Sequence, residues 1–159
     1  MGELFARRFQ VGWGDMDFNA HMRNTSYLDR AADTRMMYFE SHGFSMRDFE
    51  RLRIGPVVFM DEIEYRRELR LLETMTVAIE LAGVSPDGSN FRIRNTFYRP
   101  DEKVAAVVTS EGGWLSIDTR KLVPPPPPLL AALNDLTRAV QFTELESRMG
   151  QPSAPESPT

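Results

Sequence analysis

The chain has 159 residues, 42% of them hydrophobic and ten of them phenylalanine, enough for one sizeable core and a length that predicts a single domain. A net charge of -4 and a pI near 5.3 repel a phosphate backbone, which argues against nucleic acid as a partner. With no cysteine there is no disulfide framework, thiolate nucleophile or thiolate metal site, and the cytoplasm is the expected compartment.

The first residues, MGELFARRF, lack an apolar stretch of signal-peptide length, and no run elsewhere is long enough to span a bilayer. Residues 3 to 11 alternate weakly between apolar and charged and read as a strand. A polar stretch, GDMDFNAHMRN at 14 to 24, follows. From Asn24 the apolar residues Tyr27, Leu28, Ala31, Ala32, Met36 and Phe39 recur at helical steps, predicting a long helix to about His42. Ser26 with Asp29 resembles a capping box, Asn24 is an alternative cap, and Gly43 is a suitable stop. Ser45 with Asp48 starts a second, short helix reaching Leu52.

The period then becomes two. Val57, Phe59, Ile63 and Tyr65 fall on odd positions with Glu62, Glu64 and Arg66 between them; Val77, Ile79 and Leu81 alternate with Thr76, Ala78 and Glu80, and Phe91, Ile93 and Phe97 with Arg92, Arg94 and Tyr98. Ser85-Pro86-Asp87-Gly88 and Pro100-Asp101-Glu102 mark turns, the second leading into a strand from Val104 to Ile117. Gly112-Gly113 within it suggests a bulge or a close backbone approach. This order predicts an α+β layer, with one long helix on a curved antiparallel sheet of about five strands. The domain is expected over residues 1–140, with Pro124 to Pro128 an extended spacer and 129–140 a C-terminal helix. Residues 141–159 are too poor in apolar side chains to order themselves and are expected to be a disordered tail.

Taken alone, Asp17 and Asn19 suit a turn, because both side chains bond readily to nearby backbone. Their spacing with His21 favours chemistry instead. A thioester carbonyl needs a general base or carboxylate nucleophile and donors for the developing oxyanion. Asp17 supplies the first, and the free N–H groups of the helix start around Asn24 supply the second. Asn19 has an amide to donate, and His21 either holds Asp17 or a water, or protonates the leaving thiolate. Asp15 and Asp17 lack further ligands, so no metal and no cofactor is expected; His42 reads as a helix-end residue.

The run Asp17-Phe18-Asn19-Ala20-His21, with Asn24 and Tyr27 opening a long helix and a strand meander containing EIEYRREL, resembles the hotdog-fold acyl thioesterases of the 4-hydroxybenzoyl-CoA thioesterase type. DFNAHMRNTSY is most similar to the D-x-N-x-H-x-x-N-x-x-Y pattern of acyl-ACP thioesterases, with Ala20 where the usual bacterial form has glycine. The resemblance covers roughly residues 5–137. It implies a hotdog fold and a homodimer or homotetramer, with sheets joined edge to edge and active sites at the interface.

The expected activity is hydrolysis of an acyl-CoA or acyl-ACP thioester, with Asp17, Asn19, His21 and Asn24 catalytic. Tyr27, Phe59 and Met60 are expected to contact substrate, with Met36, Met37, Phe39 and Met75 as further groove walls. Arg66, Arg67 and Arg70 are placed to meet coenzyme A or phosphopantetheine phosphates; a solvated face paired with Glu64, Glu68 and Glu73 is the ordinary alternative. A hydratase or dehydratase on the same scaffold would carry an Asp/His pair placed differently on the central helix, which is not seen here, and a non-catalytic acyl-thioester-binding protein would keep the groove but not need the three polar residues.

Overall fold

A computed structural model describes residues 4–149. Strand β1 (Ala6–Gln10) leads through a tight helical turn at Trp13–Asp15 into helix α1 (Asn24–Ser41), followed by α2 (Met46–Leu52). Next come β2 (Ile54–Tyr65), β3 (Thr74–Val84), β4 (Asn90–Tyr98) and β5 (Val104–Ser116), then α3 (Pro127–Asp135) and β6 (Arg138–Glu144). The sheet order is β1-β3-β4-β5-β2, with each of these pairs antiparallel. Helix α1 lies against β3 and β5, giving the expected hotdog architecture of a long helix on an open, curved sheet.

The helical stripe is real: Tyr27, Ala31, Thr34 and Tyr38, at steps of four, three and four, are buried. Its start differs from expectation, since Arg23 is the N-cap and its side chain caps no backbone N–H. Asn24 is the first helical residue, and its Oδ1 accepts from the N–H of Thr25. The end is as expected. Gly43 takes the left-handed conformation (φ +88°), and the Phe44 N–H returns to the Phe39 carbonyl at 2.9 Å. At α2 the Ser45–Asp48 capping box is present in both directions.

The C-terminal region departs most from the sequence reading. Pro127 and Pro128 form the first turn of α3, where a missing N–H costs nothing, so only the prolines before them are extended. The helix expected to reach Val140 ends at Asp135, and a sixth strand follows. The cause is tertiary: the Leu81 N–H donates to the Thr137 carbonyl at 2.8 Å, and β6 runs parallel to β3 on the edge that β1 occupies further along. Residues 141–149 of the expected disordered tail are therefore built into the structure, where Asn90 Nδ2 donates to the Glu146 carbonyl at 2.8 Å. Residues 150–159 lie outside the described residues.

Gly112 sits where a Cβ would collide with the Val57 carbonyl. The bulge lies opposite it, on β2 between Val58 and Met60. Two apolar clusters fill the space between helices and sheet. One gathers Tyr38, Phe39, Phe91, Ile93 and Leu133 around Trp114; the other gathers Val11, Met22, Leu69, Met75, Val77 and Phe97 around Tyr27. The second anchors the polar segment.

Candidate active site

The polar segment is a hairpin-like loop closed by a Met16–Met22 bridge. Within it the Asp17 N–H donates to the His21 carbonyl at 2.8 Å. Asp17 Oδ1 accepts from the N–H of Asn19 at 2.8 Å and of His21 at 3.0 Å. One carboxylate oxygen thus holds the loop, while Oδ2 takes no hydrogen bond among the described residues. Ala20 completes the turn with φ +62°, a left-handed position that favours glycine.

Met22 pins this loop to the segment after β2. Its side chain is buried in the second cluster, and its N–H donates to the carbonyl of buried Leu69 at 2.9 Å. The N–H groups of Arg66 and Arg67 both bond the Ala105 carbonyl, at 2.8 and 2.9 Å, and fix the second wall. Asp15, on the near side, accepts from the Gly12 N–H and lies against Arg30. Burial pushes the Asp15 carboxyl up, but the Gly12 N–H, Arg30 and Ser26 together hold it below the usual carboxylate range.

Between the two walls lies a cleft of about 540 Å³ lined by Asp17, His21, Met22, Arg23, Asn24, Tyr27, Tyr65, Arg66, Arg67 and Glu68. Of the residues the sequence singles out, Asp17, His21, Asn24, Tyr27, Arg66 and Arg67 are thereby brought together. The others are not. Asn19 contributes its backbone to the Asp17 turn and its side chain is exposed. Phe59 lies in a separate cleft with Arg148 over its ring, and Met60 lies with Glu62, Arg92 and Glu111 in another. Phe39 and Met75 are buried in the core clusters, Met36 packs against the first, and Met37 is exposed.

His21 has a different partner from the one expected. Its Nε2 lies 3.0 Å from Glu68 Oε2, so it touches Asp17 through its backbone only. Arg66 pairs with Glu64, and Arg67 bonds the Val104 carbonyl, while Arg70 stands 4.0 Å from Glu68. Glu68, Tyr65 and Arg23 join the site without having been singled out. EIEYRREL contains the first two, but β2 ends at Tyr65, and no periodicity tells where a side chain beyond a strand end points.

Tyr27 is the floor. Its ring packs edge-on against Tyr65 at 5.5 Å and Phe97 at 5.2 Å. Burial, then the nearby Tyr65, Asp17 and Glu68, push its hydroxyl up to about 12, so it stays protonated in any neutral buffer. At the cleft edge the Asn24 N–H has no intrahelical partner and bonds no group among the described residues. The arrangement therefore offers a free carboxylate oxygen, an unpaired N–H at a helix start, a histidine ring 3.0 Å from a carboxylate, and three arginines.

A model of the Thioesterase-like superfamily matches residues 11–133. The chain belongs to that superfamily. Solved structures share its fold at low identity. A hypothetical protein from Staphylococcus aureus, solved in complex with CoA, is 20% identical over 89% of this chain and 90% of its own, with a TM-score of 0.77. A 1,4-dihydroxy-2-naphthoyl-CoA thioesterase from Synechocystis is 15% identical over 84% of this chain and 98% of its own, with a TM-score of 0.74. A DHNA-CoA thioesterase from Staphylococcus aureus is 16% identical over 76% and 80%, with a TM-score of 0.71. Among the described residues of this superfamily member no helix is long and apolar enough to cross a membrane.

Proposed function

We propose that the protein hydrolyses acyl thioesters of coenzyme A or of acyl-carrier protein, with Asp17 as general base or nucleophile. The observation that carries this is the convergence of Asp17 and the start of α1 on one cleft. Two backbone N–H groups hold Oδ1 and leave Oδ2 to act. As base, Oδ2 takes a proton from water while the water oxygen bonds the carbonyl carbon; as nucleophile it bonds that carbon directly and water later cleaves the anhydride. Either route breaks the C–S bond and ends in a carboxylic acid and a thiol.

The developing oxyanion is received at the Asn24 N–H, where the partial positive charge of the helix start adds to the hydrogen bond. His21, oriented by Glu68, is the group placed to protonate the leaving thiolate. Arg23, Arg66 and Arg67 border the cleft and suit the phosphates that coenzyme A and phosphopantetheine share. The protein acts in the cytoplasm and as a homodimer: β2 is the open end of the sheet, twelve residues long, with Val58, Phe59, Met60 and Tyr65 exposed. An uncovered apolar edge strand of that length calls for a partner strand.

Thiol release from a panel of CoA esters, short to long and aromatic, tests the reading. We expect turnover of at least one ester with equimolar acid and thiol. Tight binding of every ester without thiol release would instead make this an acyl-thioester-binding protein, and hydration of an enoyl ester would make it a hydratase.

A further inference from the structure

The start of α1 is built against the usual preferences of a helix. A helix start favours a short polar side chain at the N-cap and acidic residues in the first turn, because its free N–H groups carry partial positive charge. Helix α2 has both, with Ser45 as its cap and Asp48 in its first turn. Helix α1 has neither: its N-cap is Arg23, whose side chain caps no backbone N–H, and no acidic residue stands in its first turn. A cation is disfavoured at this end. Arg23 therefore adds positive charge where stability alone calls for negative charge.

The fold nevertheless holds that charge in place. The Arg23 N–H donates to the Asp15 carbonyl at 2.8 Å, and the Arg23 carbonyl accepts from the Ser26 N–H at 3.1 Å. Its side-chain Nε donates to Ser26 Oγ at 3.3 Å. Ser26 is fully buried, and its hydroxyl donates in turn to the Asp15 carbonyl at 3.5 Å. This tether folds the guanidinium over the first turn of α1, on the wall of the cleft that Asn24 and Asp17 also line. Both Nη groups bond nothing among the described residues, and neither acidic residue of the cleft, Asp17 or Glu68, pairs with them. The other two arginines of the cleft are committed, Arg66 to Glu64 and Arg67 through Nη1 to the Val104 carbonyl. Arg23 and the free Asn24 N–H, by contrast, belong to one peptide unit.

We propose that Arg23 is a catalytic residue whose Nη groups, together with the Asn24 N–H, receive the thioester oxygen. The proposal rests on the thioesterase reading and adds a residue to its chemistry. As an oxygen of water or of Asp17 bonds the carbonyl carbon, the C=O electron pair moves onto the carbonyl oxygen. When that pair returns, the C–S bond breaks and sulfur leaves with its electrons. Arg23 keeps its protons throughout and supplies N–H donors and charge. Its effect is greatest when the oxygen is fully negative, so it stabilises the transition state more than the bound ester. The Ser26 tether sets the guanidinium in position beforehand, which is what such a donor requires. A guanidinium also suits a phosphate, and position separates the two uses: the phosphates lie at the far end of the pantetheine arm, whereas Arg23 stands where the carbonyl oxygen is received.

The test measures kcat and KM for one acyl group carried on coenzyme A and on pantetheine, which lacks the phosphates. It uses the wild-type chain, Arg23→Ser and Arg23→Lys, with Tm followed by circular dichroism. In Arg23→Ser we expect kcat to fall by about a hundredfold with either carrier, and KM to change by less than about threefold. Its Tm should meanwhile rise by about 2–4 °C, because serine is a preferred N-cap and the disfavoured cation is gone. A merely structural role does not move kcat and Tm in opposite directions. Arg23→Lys keeps the charge without the planar fork and should recover about tenfold of the lost kcat. A KM that rises for the coenzyme A ester alone, with kcat retained, would make Arg23 a phosphate contact and overturn the inference. Unchanged kcat, or a Tm that falls together with kcat, would overturn it as well. Each of these outcomes leaves thiol release by the wild type intact, whereas a wild type that releases no thiol from any ester would remove the thioesterase reading and this inference with it.

Discussion

One carboxylate oxygen of Asp17 holds the turn, and in the proposed reaction the other carries the chemistry. Oδ1 is a turn acceptor for the N–H groups of Asn19 and His21, while Oδ2 faces no protein donor among the described residues. His21→Ala keeps the backbone N–H that holds Asp17 and removes the ring that meets Glu68. It should therefore cost less turnover than Asp17→Asn, and the reverse order in kcat would transfer the leading role to His21. Ala20 carries a left-handed backbone at φ +62°, so Ala20→Gly should raise stability by roughly 0.5–1 kcal/mol, about 1–4 °C in Tm. A lower Tm would mean the turn is not strained. The burial of two tyrosines sets an alkaline limit: Tyr27 and Tyr38 are each raised from 10.0 to about 12. The raised value means the unfolded chain ionises first, so stability is fully present below pH 10 and is lost as pH climbs toward 12. Tyr27→Phe should flatten the fall of Tm across that window, and an unchanged pH slope would contradict the assignment. That Asp17, His21 and Asn24 lie along one cleft follows from their local spacing and was legible in the sequence. Glu68 was not, because it meets His21 only after two loops are joined through Met22 and Leu69.

At the scale of elements, legibility followed the range of the interaction that decides each one. Helix α1, the capping box of α2 and the alternating strands β2 to β5 rest on periodicity and neighbouring side chains, and the sequence carries these openly. Strand β6 rests on β3, more than fifty residues away in sequence. Leu129, Leu133 and Leu136 keep a helical spacing right up to the point where Thr137 is captured by Leu81, so the pattern extended the helix past its true end. The same distant dependence makes the C-terminal segment cooperative with the turn after β3, where Asp87 accepts from Ser85, Ser89 and Ser147. The glycine pair in β5 was readable as a close approach, and the structure names what approaches: the Val57 carbonyl against Gly112. Gly112→Ala must push β2 and β5 apart, and should cost about 1–3 kcal/mol, read as a Tm lower by several degrees. A Tm within one degree of wild type, roughly the shift that 0.5 kcal/mol produces, would show that the strands give way freely.

For the whole molecule, the outer side of β2, the longest edge strand of the sheet, is unpaired among the described residues. Sedimentation should give a mass near twice the 18.2 kDa of the chain, or four times it if two dimers associate, and a monomer at micromolar concentration would remove the proposed interface. The fold assembles a cleft from one loop with the helix start it runs into and a second segment far along the chain, and stands on two apolar clusters that pack beneath them. The central claim is that the free oxygen of Asp17 drives thioester cleavage in that cleft. Its most direct test is single-substrate thiol release by Asp17→Asn beside the wild type, with circular dichroism to confirm that both are folded. The turn acceptor survives in the amide, so the fold should persist while turnover falls by about a hundredfold or more. Turnover equal to wild type in a folded Asp17→Asn protein would contradict the claim.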